Sequence, residues 1–288
     1  MNLGSIGIWS GAFRAVEPEQ ATDAAAELEQ LGYGAIWLPG GTGGPVLELA
    51  QRLLEATSRI VVATGVLNIW AHEAADVRAA RAKIEAEHEG RFLLGLGVSH
   101  KLLVERENLG VYARPLSKMR SYLDELDEEP DPVPPEGRVL AALGPFMLQL
   151  ASVRSAGAHP YLVPVGHTIA ARALLGDGPL LAPELAVSLK GSAEANEAVA
   201  REHVQFYLRL PNYTRNLLRH GLTREDLRDG GSRRLVDALV AGGGVEGISA
   251  RVRAHRDAGA DHVCLQVLGS PAGQLPREEW RTLAQALL

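Results

Sequence analysis

Cysteine occurs once in the 288 residues, as Cys264, so neither a disulfide framework nor a multi-cysteine metal site or cluster is available. Lysine is nearly as scarce: Lys83, Lys101, Lys118 and Lys190 are the only four among 29 basic residues, the rest being arginine. Acidic residues outnumber basic ones, 35 to 29, for a net charge of -6, which argues against a broad positive surface for nucleic acid or anionic lipid. No basic and apolar leader opens the chain, and no later stretch is apolar enough to span a bilayer. The expectation is a cytoplasmic protein with neither nucleic acid nor membrane as partner.

The easily recognised catalytic motifs are missing too. There is no G-x-S-x-G elbow and no P-loop. The nine histidines are dispersed, and the HEAAD run at His72 has Asp76 where a helical zinc motif needs its second histidine, so no metal site is expected.

What the sequence does have is alternation. SIGIWS, GAIWLP, IVVATGVLNI, FLLGLGV, RVLAALG, HPYLVPV, ELAVSLK and HVCLQVLG are short apolar runs, as expected of strands covered on both faces. Helical periodicity separates them, for example Ala21, Ala24, Ala25, Leu28 and Leu31 between Pro18 and Gly32. The stretch EEPDPVPPEG (128–137) reads as a surface connection, because proline removes backbone donors. From about 210 to 244 the alternation gives way to short helical pieces, an insertion before the last strand. Eight strands alternating with helices fit a single-domain α/β fold over residues 1–288, an eight-stranded TIM barrel, better than an open doubly wound sheet.

A barrel of this kind carries its ligand at the carboxyl ends of the strands. Gly65 inside the third strand marks a bulge, an unusual peptide or close approach of a ligand, or else a packing glycine. Gly95 and Gly97, two apart, open one side of the fourth strand for a flat ring or a bulky neighbour; His100 in the third glycine position excludes a dinucleotide fingerprint. Gly144 followed by Pro145 ends a strand and starts a helix, exposing unpaired N–H groups suited to a phosphate, although many such turns bind nothing. Gly242, Gly244 and Gly247 match G-x-G-x-x-G but follow a helical segment, and read as a helix stop and start. His100 is the histidine best placed at the mouth, either as a proton donor or acceptor or as a structural group.

GAIWLP, ATGVLNIW, RFLLGLGVSHKLLVE, RPLSKMRSYLDELD, ALGPFMLQLA with GAHPYLVP, and LPNYTRNLLRHG together resemble the luciferase-like flavin and deazaflavin oxidoreductases. The resemblance runs over essentially the whole chain and is strongest to the branch of probable coenzyme F420-dependent oxidoreductases. It implies a bacterial-luciferase-type barrel, pairing as a homodimer through helices near strands two and three, with a flat tricyclic cofactor at the strand ends. It further implies a non-proline cis peptide at Gly65 and Val66 behind the ring, Asn68 beside it, and Gly97, Val98 and Ser99 along its border. Gly144, Pro145 and Phe146 would hold the phosphate, and His100 occupies the family's acidic position after strand four. Trp9, Trp70 and Tyr213 are the expected substrate wall. The chain departs from the sugar-phosphate dehydrogenase branch, whose acid and histidine after strand two are replaced by Leu38, Pro39, Gly40 and Gly41. The implied activity is hydride transfer between F420 and a small organic molecule. The alternatives are an FMN-dependent monooxygenase and a barrel that binds cofactor without catalysis.

Overall fold

The computed structural model describes residues 1–40 and 44–288. Gly41, the last residue of the second-strand departure, lies outside that range. The first strand is β1 (Ile6–Trp9), followed by α1 (Pro18–Gln30), β2 (Ala35–Leu38), α2 (Val46–Glu55), β3 (Val61–Thr64), β4 (Leu67–Asn68), α3 (Ala74–Glu87) and β5 (Phe92–Gly97). After α4 (Lys101–Arg106) and α5 (Pro115–Leu126) come β6 (Arg138–Leu140), α6 (Pro145–Arg154), β7 (Gly157–Ala158), α7 (Val165–Leu175), β8 (Leu180–Leu181) and β9 (Glu184–Val187). The chain ends with α8 (Ala193–Tyr207), α9 (Pro211–Arg219), α10 (Arg233–Leu239), β10 (Val240–Ala241), α11 (Gly244–Asp257), β11 (Val263–Val267) and α12 (Arg277–Leu287).

These strands form one eleven-stranded parallel sheet in the order β10-β9-β11-β1-β2-β3-β5-β6-β7-β8, with β4 paired to β5. It curls into a half-barrel in which β8, at one end of the order, lies beside the start of β11, the Leu181 carbonyl accepting from the Asp261 and His262 N–H groups. Apolar residues pointing both ways explain the lack of alternation in β2, where Ala35, Ile36, Trp37 and Leu38 are all buried. One set packs inside the curl with Trp37, Val61, Leu93, Val139 and Cys264. The other packs under the helices, as Ile36, Leu38 and Val62 do with Leu28 and Leu53. The residues of 210–244 belong to a separate apolar cluster in which Leu210, Tyr213, Leu217, Leu235 and Leu239 pack with Leu162 and Val204.

The sheet differs from the eight expected strands in three places. The third strand is divided into β3 and β4 at Gly65–Val66, whose peptide bond is cis. The seventh is preceded by β8, separated from β9 by Ala182 and Pro183. A further two-residue strand, β10, pairs with Ala186 and Val187 of β9. The glycines at 242, 244 and 247 therefore follow a strand, not only a helix, before α11 begins at Gly244. The run HPYLVPV is not a strand either: pairing stops at Ala158, Pro160 and Pro164 have no N–H to donate, and Leu162 adopts a left-handed φ of 52°. Among the described residues no helix is long and apolar enough to cross a membrane.

Candidate active site

A cleft of about 540 Å³ opens at the carboxyl ends of β1, β4, β5 and β6, roofed by the end of α8 and by α9. That volume is within the range of about 300–1,000 Å³ usual for small-molecule sites. Of the residues expected at the site, Trp9, Gly65, Val66, Asn68, Gly97, Val98, Ser99, His100, Gly144, Pro145, Phe146 and Tyr213 all line it. Trp70 does not. Its indole N–H donates to the Val98 carbonyl at 2.9 Å, its ring packs against Tyr112 at 5.6 Å, and its backbone N–H donates to Asn68 Oδ1. The tryptophan thus braces the Asn68 and Val98 backbones instead of facing a ligand.

The floor is built by close backbone approach. A methyl on Gly65 would lie 2.8 Å from Trp9 Nε1 and 3.1 Å from His159 Nε2, so only glycine fits. Trp9 Nε1–H donates to the Gly65 carbonyl at 2.7 Å, tying β1 to the interruption in the third strand. On Gly97, a methyl would sit 2.5 Å from Val66 Cγ2, and on Gly95 it would sit 1.9 Å from the Thr64 carbonyl oxygen. The bulky neighbour that these two glycines accommodate is therefore Val66 and its own strand. Gly40 closes the same corner: its N–H donates to the Val66 carbonyl at 3.1 Å, and a Cβ there would lie 2.4 Å from that oxygen. The absence of an acid and a histidine after β2 thus coincides with a segment pressed directly on the cis peptide.

The interior of the cleft carries little formal charge. Burial pushes His100 and His159 down to about 4, so both are neutral at pH 7. His159 stacks on Trp37 with ring centroids 4.2 Å apart and donates from Nδ1 to the Ala182 carbonyl at 2.7 Å. Its Nε2 is buried without a partner, beside Gly65. Tyr207 donates to Tyr161 at 3.0 Å, and Tyr161 donates to Gln266 Oε1 at 2.7 Å, giving a buried phenolic wall beside Tyr213. Behind it, Glu184 accepts from the Leu162 N–H at 2.9 Å, and burial raises its carboxyl to about 8.

Positive groups gather at one end instead. There α6 begins with Gly144 as its N-cap and Pro145 in the first turn, leaving its first N–H groups without helical acceptors. The Arg219 guanidinium lies 3.7 Å from where a Gly144 Cβ would be, and Arg215, one turn earlier on α9, also lines the cleft. The helix dipole and these arginines favour an anion at that end. Among the described residues the one cluster with metal-ligand geometry is Glu55, Glu87 and His88, outside the cleft at the ends of α2 and α3.

Sequence reasoning missed His159, Tyr161, Glu184, Tyr207, Asn212, Arg215 and Arg219. Glu184 had a signal, a carboxylate opening an otherwise apolar strand, and His159, Tyr161, Asn212, Arg215 and Arg219 lie inside runs that carried the resemblance. Tyr207 reaches the cleft only through its contact with Tyr161, 46 residues away in the chain.

Residues 6–128 match the model of the family described as luciferase-like monooxygenase, bearing out over that stretch the resemblance read from the sequence. In fold the chain is similar to a coenzyme F420-dependent tetrahydromethanopterin reductase from Methanopyrus kandleri, with a TM-score of 0.77, 16% identity and 98% of each chain covered. It is similar also to an F420-dependent secondary alcohol dehydrogenase in complex with an F420–acetone adduct, with a TM-score of 0.73, 13% identity and coverage of 98% of this chain and 97% of that one. A third likeness is to the oxygenating constituent of 3,6-diketocamphane monooxygenase from Pseudomonas putida in complex with FMN, with a TM-score of 0.69, 12% identity and coverage of 98% and 96%. At these identities the structural likenesses speak for the fold. No curated protein matches the chain in sequence.

Proposed function

We propose, from a luciferase-like domain over residues 6–128 and a cleft with a neutral interior and a basic end, that the protein is an oxidoreductase. It moves a hydride between coenzyme F420 and a small organic acceptor. The eleven strands are read as eight barrel positions in one domain over 1–288. The third position is β3 with β4, the seventh is β8 with β9, and β10 comes from the 210–244 insertion. Pairing of two chains through α2 and α3 belongs to the same reading.

The observation that carries the proposal is the polarity of the cleft. A tricyclic ring suits the apolar space bounded by Gly65, Val66, Val98 and Tyr213, while an anionic tail suits Gly144, Pro145 and Phe146 beside Arg219. His159 Nε2, a buried acceptor with no partner, offers a hydrogen-bond site to a ring N–H. When bound, a reduced deazaflavin supplies a hydride, whereas reduced flavin can also activate oxygen. The protein's own part is to hold the acceptor against the exposed face, exclude water with the α8 and α9 roof, and offer His100 to the atom next to the reacting carbon. Trp9 and Tyr213 supply the apolar wall.

The FMN-bound structural relative supports a second reading, a flavin monooxygenase on the same cleft. The two readings separate on oxygen consumption. Anaerobic oxidation of reduced F420 by conjugated carbonyl compounds tests the first, and His100→Ala is expected to lower its kcat about 10²-fold while leaving cofactor affinity within about twofold. Unchanged turnover would remove His100 from the mechanism.

A further inference from the structure

We infer that Asn212, on the α9 roof, fixes the hydrogen of His100 on Nε2, so that the cleft receives a substrate oxygen that accepts a hydrogen bond, a carbonyl or conjugated carbonyl group. The substrate class rests on the oxidoreductase reading above; the tautomer does not.

Asn212 Nδ2 lies 3.2 Å from His100 Nδ1. An amide nitrogen only donates, so Nδ1 must accept, and a neutral imidazole then carries its hydrogen on Nε2. Tyr112, whose hydroxyl donates to the Ser99 carbonyl at 3.4 Å, lies beside the same amide. The opposite amide orientation would present Oδ1 to Nδ1 and demand the other tautomer, so the ring tautomer reads the amide directly.

The neutrality of His100 rests on its surroundings. Its ring is largely buried, with Tyr213 at 5.2 Å, and burial is the one cause of its lowered proton affinity, no charged group taking part. The backbone reinforces the placement: Ser99, whose carbonyl Tyr112 holds, has a left-handed φ of 53°, and His100 is the N-cap of α4. His100 thus comes to the cleft with its lone-pair nitrogen occupied by Asn212 and its N–H edge available. An N–H edge stabilises negative charge developing on an acceptor oxygen, whereas taking a proton from an alcohol needs the lone pair that Asn212 occupies. Asn212 is accordingly a positioning residue, contributed by a segment 112 residues away in sequence.

Nitrogen-15 NMR of histidine side chains in the protein without cofactor reads the tautomer directly, with the His100 signals identified by their loss in His100→Gln. The expected result is an Nε2–H ring for His100 that stays neutral down to about pH 5. In Asn212→Asp the new carboxylate accepts from Nδ1, so the hydrogen should move to Nδ1 and the ring should titrate at higher pH. An Nδ1–H ring in the parent protein, or an Asn212→Asp spectrum identical to it in a variant of parental thermal stability, overturns the inference. Should Asn212→Asp fail to fold, Asn212→Leu carries the test: loss of a single well-defined tautomer supports the inference, and retention of Nε2–H contradicts it. With reduced F420 and a conjugated ketone, Asn212→Asp should lower kcat about 10²-fold and change KM within about twofold. Absence of turnover in the parent protein with the expected tautomer intact would count against the oxidoreductase reading and leave the role of Asn212 standing.

Discussion

Glu184 illustrates how far a single residue's environment governs its charge. It opens β9 at 1% exposure, and the hydrogen bond from Leu162 N–H only partly offsets the burial that lifts its carboxyl to about 8. An unfolded glutamate titrates near about 4.3, so between that value and about 8 the folded state holds a proton that the unfolded state has lost. This contribution to stability is therefore fully present below the unfolded value and declines as pH rises toward 8. Glu184→Gln keeps an acceptor for Leu162 and cannot ionise. Its stability relative to the parent should grow by about 1.4 kcal/mol per pH unit from pH 6 to 8, measured by urea unfolding; parallel pH profiles would contradict this. The protonated carboxyl also keeps negative charge away from the phenols of Tyr161, Tyr207 and Tyr213, whose proton affinities burial already raises.

At the scale of elements, the third strand is held from behind by α1. Burial opposes the charge on Glu29, but hydrogen bonds from the N–H groups of Ser58, Arg59 and Ile60 and from the Ser58 hydroxyl outweigh it and hold the carboxyl at about 2. These bonds fix the turn that leads into β3 and hence into Gly65. Because the folded value is depressed, this contribution is fully present above about pH 4.5 and fades as pH falls toward 2. Glu29→Gln should cost about 2 kcal/mol at pH 7 in urea unfolding, with the difference vanishing near pH 2. Equal midpoints at pH 7 would show that the clamp is idle. The helices were legible in the sequence because burying one face leaves a 3.6-residue period, as Ala21, Ala24, Ala25 and Leu28 do in α1. The break in the third strand was marked by Gly65 and implied by the resemblance, whereas the division between β8 and β9 at Ala182 and Pro183 left no sign in the side-chain pattern. HPYLVPV misled for a related reason: its apolar side chains are buried by a loop that turns at Leu162, and burial alone does not distinguish a loop from a strand.

For the molecule as a whole, the sheet order converts an alternating sequence into one mouth, and much of its lining was legible: of the thirteen residues expected there from the strand ends and the family resemblance, twelve line the cleft. The exception, Trp70, follows an apolar run but spends its indole on Val98. The roof beyond Tyr213 was not legible, because Asn212, Arg215 and Arg219 meet Gly144 and His100 only once α9 folds over the strand ends. That roof gives the cleft its polarity, and polarity is what the functional reading depends on. The most direct test is to titrate the protein with oxidised F420 and separately with FMN, following quenching of each cofactor's fluorescence in the parent and in Arg219→Ala. The account predicts saturable, one-to-one binding of F420 in preference to FMN, weakened about tenfold by the substitution. Binding of FMN alone would contradict the deazaflavin assignment, and saturable binding of neither would contradict a tricyclic cofactor in this cleft.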